Sequence, residues 1–165
     1  MSTLEDELSS QWPQCLGRKE RAFRVLSAFW RIMQRAAQSE TADLILVDLG
    51  PNLGSINRAA LIAADFVVIP LSPDLYPLQG LKNRGLTFRR WREQWNDQLE
   101  RRPEMDIKLP AGRMAPLGYV VLQHSVRLDR PVKAYDNWIN RIPIVYRENV
   151  LSEQCNKNYT IQNDS

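Results

Sequence analysis

Apolar positions along this chain fall into two patterns. The first is helical. Phe23, Leu26, Trp30, Met33 and Ala37 recur at spacings of three and four, with Arg24, Arg31 and Arg35 on other faces, and predict one long amphipathic helix from Arg18 to Ser39. A second such stripe, Leu78, Leu81, Phe88, Trp95 and Leu99, predicts a helix over Leu78–Arg101, weakened in its first turns by Gly80 and Gly85. The second pattern is the short unbroken run. Leu44–Leu49, Phe66–Ile69 (stopped by Pro70) and Gly118–Gln123 read as strands covered on both faces. Ser55 is placed to cap a short helix over Ile56–Ala64, and Asp129 to cap another that has Pro131 in its first turn and ends before Pro143. Residues 1–17, broken by Pro13 and Gly17, read as a loose lead-in, residues 103–116 as a loop, and 152–165 as a polar tail.

Strands alternating with helices predict an α/β fold. The expected architecture is three-layer, a mainly parallel sheet of three or more strands with crossover helices, in one domain over residues 18–151. Ligands of such sheets sit beyond the carboxyl ends of the strands. Asp48, the segment Pro70–Asp74 and the segment Gln123–Ser125 are expected along that edge.

Composition narrows the chemistry. The apolar fraction of 44% and charged fraction of 25% are those of an ordinary globular domain. No window reaches the ~18 apolar residues of a membrane span, and the polar start "MSTLEDELSSQW" has no signal-peptide core, so a cytoplasmic location is expected. Cys15 and Cys155 form no CxxC pair. The single histidine, His124, excludes His-based metal clusters and most triads. A net charge of +3 and a pI near 9.0 permit nucleic-acid contact without demanding it.

The stretch "LILVD" has the form of a Walker B strand, in which a rigidly held carboxylate serves a hydrated Mg²⁺. By itself an Asp at a strand end is more often a turn former or a helix cap than a metal ligand. Its surroundings add specificity. "ADLILVDLGPNLGSINRAALIAADFVVIPLSPDLYPLQGL" resembles the central part of the ParA/MinD/Soj family of deviant Walker partition ATPases. The shared landmarks are Asp48, Pro51, Ala63-Ala64-Asp65, Pro70 and Leu78-Gln79-Gly80-Leu81. "GYVVLQ" resembles the family's next core strand, and "RIPIVYRENVL" its Ile-Pro loop near the adenine base. The resemblance spans about residues 40–151 and implies a partial P-loop NTPase-like fold, ATP and Mg²⁺ as cofactors, and a nucleotide-dependent switch in plasmid or chromosome partitioning.

Carried over residue by residue, the resemblance makes Asp48 the Walker B acid, acting on Mg²⁺ through water and sensing the γ-phosphate. Gly50 and Pro51 become part of a switch-like loop, and Pro143 and Ile144 neighbours of the adenine. Asp74 falls at the mouth of the cleft or caps the long helix. Arg89, Arg90 and Arg92 are the positions for non-specific DNA contact, although Glu93, Asp97 and Glu100 interleave with the arginines.

One departure is large. The family's Gly-rich, lysine-containing phosphate loop has no counterpart here, because none of Lys19, Lys82, Lys108, Lys133 and Lys157 follows a glycine or precedes Ser or Thr. The chain is therefore expected to be the C-terminal part of a ParA-like ATPase, not active alone. The alternatives are a non-catalytic ParA-like interaction module and a small basic DNA-associated protein. The implied partners are a second copy, a ParB-like protein or DNA.

Overall fold

The computed structural model describes residues 3–71, 77–122 and 139–152. The elements in chain order are α1 (Leu4–Gln14), α2 (Glu20–Leu26), α3 (Ala28–Ser39), α4 (Ser55–Ala63), β1 (Phe66–Leu71), α5 (Pro77–Glu100), β2 (Ala115–Val121) and α6 (Ile142–Tyr146), the last running into a π-helical turn, Arg147–Leu151.

The chain is mixed α/β. β1 and β2 pair side by side, and their pairing advances in one direction: Met114 N–H donates to the Ala64 carbonyl at 3.2 Å and Leu122 N–H to the Leu71 carbonyl at 2.8 Å. This is a parallel pair with α5 as its crossover helix, as expected of strands separated by a helical segment. Pro70 does not stop β1, which continues to Leu71. Nor is β1 covered on both faces, since Val67, Ile69 and Leu71 are buried while Phe66, Val68 and Pro70 alternate outward.

The predicted first strand, Leu44–Leu49, does not form. Residues 44–50 have no regular structure, and Leu44 and Leu46 are 72% and 85% exposed. An apolar run records a preference for burial, but a strand needs a ladder partner. Among the described residues the ladder contains β1 and β2 alone. Among the described residues the sheet has two strands, and Asp48 stands on an open segment rather than at a strand tip.

Contacts divide the chain into two units, one of residues 1–67 and 90–117, the other of residues 68–89 and 118–165. In the first unit, residues 4–14 form α1 where a loose lead-in was expected, because Thr3 and Asp6 make a reciprocal capping box and Leu8 and Trp12 give the helix a buried face. The predicted helix 18–39 is two helices, parted at Ser27, which is fully buried. The C-terminal half of α5 supplies the centre. Trp95 stacks on Trp12 with centroids 6.0 Å apart, meets Phe23 at 6.1 Å, and donates its indole N–H to the Pro110 carbonyl at 3.0 Å. Gly112, at φ 64°, lies against the indole, where a Cβ would come 2.2 Å from Trp95 Cδ1.

In the second unit, the Arg89 guanidinium donates to the Asn149 carbonyl at 3.1 Å, and the Tyr119 and Tyr146 rings meet at 5.2 Å. Pro143 starts α6 rather than lying in a loop, since its fixed φ and missing N–H suit a first helical turn. The expected Asp129-capped helix, the third-strand tip with His124, Asp74 and the polar tail lie outside the described residues.

Candidate functional site

Asp48, Gly50 and Pro51 lie together on the segment that leads into α4, and all three are exposed. What fixes this segment is a side chain in the first turn of α4. Asn57, itself buried, shares the two protons of its side-chain amide among the Gly50 carbonyl at 2.9 Å, the Asn52 carbonyl at 2.7 Å and the Asn52 side-chain oxygen at 2.9 Å. The turn Gly50–Gly54 is thereby tied to its own helix.

The start of α4 departs from expectation. Gly54, not Ser55, is the N-cap, and Ser55 donates its hydroxyl to the Glu5 carbonyl at 2.6 Å. The missing cap comes from α1. The Glu5 carboxylate accepts the Ser55 N–H and, at 3.1 Å, the Ile56 N–H. Free first-turn amides favour an anion, and these hydrogen bonds, the Ser55 amide first, hold Glu5 below its ordinary pKa, with Arg58 adding attraction. Arg58 lies over the Trp12 ring at 4.1 Å and reaches towards Trp91 at 5.8 Å.

The other sequence-predicted residues are placed elsewhere. Pro143 and Ile144, both exposed on α6, belong to the second unit, whereas the Asp48 segment belongs to the first. Of the three DNA candidates only Arg90 is exposed; Arg89 is engaged with Asn149, and Arg92 is half-buried.

The described residues do not by themselves fit a magnesium nucleotide. No group of three or more His, Cys, Asp or Glu suited to a metal ion occurs among them, and the first-turn amides of α4 already hold a carboxylate. No described helix is long and apolar enough to cross a membrane.

Sequence reasoning missed Glu5 and Asn57. Thr3-Leu4-Glu5-Asp6 carries a capping-box signal that marks the start of α1. Nothing in the sequence marks Asn57, or pairs Glu5 with a helix fifty residues away.

A family model described as an AAA domain matches residues 18–101, just over half of the chain. Protein IncC of Escherichia coli is 36% identical over 59 residues, which cover 36% of this chain and 16% of that protein. The chain thus matches only a small part of that relative's length. No solved structure matches the chain.

Proposed function

We propose a function from one premise: the chain belongs to the ParA-like family of AAA domains matched by residues 18–101. On that footing it is a component of the partition-ATPase lineage, and its described residues serve association: with a second copy, or with a ParB-like partner. The observation that carries this reading is exposed apolar surface inside the matched region. Leu44, Ile45, Leu46 and Val47 are all exposed, and α3 buries no residue while exposing Phe29 and Ile32. Unpaired apolar backbone and open apolar side chains are surfaces that association covers.

Light scattering after size exclusion tests the reading. The native chain is expected to exceed the monomer mass of 19.1 kDa and to return to it when Leu44→Lys and Leu46→Lys are combined. A native chain that stays monomeric up to ~100 µM, where contacts worth ~5.5 kcal/mol register, and captures no ParB-like partner would overturn it.

A second reading, the nucleotide-dependent switch, is favoured by Asp48, Gly50 and Pro51 falling inside the matched region, just before a helix N-terminus. In that reading Asp48 holds the water shell of Mg²⁺ and the phosphates are gripped by groups outside the described residues. Mg·ATP calorimetry decides it: binding tighter than ~100 µM that is lost in Asp48→Ala supports the switch, and no heat at millimolar ATP dismisses it. Non-specific DNA contact through Arg89, Arg90 and Arg92 predicts affinity that falls steeply with salt.

A further inference from the structure

We propose that the first turn of α1 is a latch on the 48–54 segment, closed by the Glu5 carboxylate seated on the N-terminus of α4. The latch would regulate the segment that bears Asp48, whose role alone rests on the proposed function.

The latch is built from both sides. The Thr3–Asp6 capping box fixes the turn that carries Glu5. From there the Glu5 carboxylate takes the Ser55 and Ile56 amides, while its own carbonyl takes the Ser55 hydroxyl. Gly54 makes the approach possible, since a Cβ there would lie 2.7 Å from Glu5 Oε1. On the inner side, Asn57 holds Gly50 and Asn52. The turn between Asp48 and α4 cannot change shape without breaking one of these two sets.

The same geometry makes the latch able to open locally. Glu5 is half-buried and Thr3, Leu4 and Asp6 are exposed, whereas Leu8 and Trp12, one and two turns later, are buried. Lifting residues 3–7 therefore removes the carboxylate from α4 while the rest of α1 keeps its packing. The charged groups around Glu5 favour the closed form. Arg58 of α4 attracts it, although Arg90 of α5 repels Arg58; Glu7 is paired with Arg21 of α2 at 3.0 Å, and Asp6 is turned to Thr3. Opening would free two helix-start amides and release the segment that bears Asp48, Gly50 and Pro51.

Amide hydrogen exchange on the full chain, without nucleotide and at fixed pH, tests the latch in Glu5→Gln and Glu5→Ala. Exchange of the amides of residues 54–58 is expected to rise about tenfold in Glu5→Ala and less in Glu5→Gln, with residues 91–98 of α5 unchanged. Unchanged exchange over 54–58 in both variants, or an equal rise over 91–98, would overturn the proposal. The light-scattering and ATP experiments fail or succeed independently, because neither enters this readout.

Discussion

Gly112→Ala offers the sharpest test of how the first unit is packed. Two costs add at this position. The residue sits at φ 64°, where a side chain costs roughly 1–2 kcal/mol. The new methyl would also lie 2.2 Å from Trp95 Cδ1. The indole has little freedom to retreat, being held by Pro110 through its N–H and flanked by Trp12 and Phe23. Overpacking of this kind costs about 1–3 kcal/mol, so the single substitution is expected to destabilise by roughly 2–5 kcal/mol.

Trp95→Leu separates the two costs. Alone it removes the indole and leaves the Pro110 carbonyl without its donor, at a cost of about 3–5 kcal/mol. In the double variant the alanine methyl finds room, and only the backbone term of Gly112→Ala remains. The double variant should therefore be about 1–3 kcal/mol more stable than the sum of the singles predicts. Urea unfolding followed by far-UV circular dichroism measures all four proteins without relying on the tryptophan being removed. Additivity within ~0.5 kcal/mol would refute the contact between the 102–114 segment and Trp95.

Three further outcomes are expected. Cys15 is fully buried and its thiol is pushed up to about 12 by desolvation, so it should resist alkylation at neutral pH until the chain unfolds; rapid labelling of the native chain would contradict its burial. Glu5 has its pKa held below the ordinary 4.5, so its contribution to stability is present above that pH and is lost as pH falls through the lowered value; a thermal series from neutral to acid should fall more steeply for the native chain than for Glu5→Gln, and parallel curves would contradict this. Asn57→Ala removes the side-chain amide that holds Gly50 and Asn52 and should make residues 50–54 the first site of limited proteolysis, a result contradicted by an unchanged cleavage map.

The elements that periodicity could reach were those whose partners lie nearby or whose stripe is long. α5 was legible because its apolar positions recur over six turns, and the β1–α5–β2 order because two apolar runs flank that helix. Leu44–Leu49 misled because its residues are as apolar as those of β1, while the partner that would bury them is not encoded in the run itself. The break at Ser27 was hidden by apolar spacing that continues across it, and α1 by Pro13, which lies inside the helix near its end although its ring and missing N–H normally argue against a helix there. Of the candidate site, the position of Asp48, Gly50 and Pro51 on one segment was readable. The clamps that hold the segment were not, since a carboxylate fifty residues upstream leaves no local trace at a helix cap.

The Glu5 contact also constrains how any phosphate could meet this chain. Phosphate recognition in this class draws on backbone amides and on lysines that neutralise charge. The described helix start that follows Asp48 has amides of the right kind, but Glu5 already holds two of them. Arg58, in the same helix, lies over the face of Trp12 and already attracts Glu5. A phosphate arriving there must displace one anion with another, so its net gain is a difference between two similar interactions rather than the whole of one. The largely exposed side chains of Leu44 and Leu46 would give up water and no bound anion in the proposed association. If association is the function proposed above, a phosphate effect that appears only after Glu5→Ala would mark the latch as the barrier to phosphate binding.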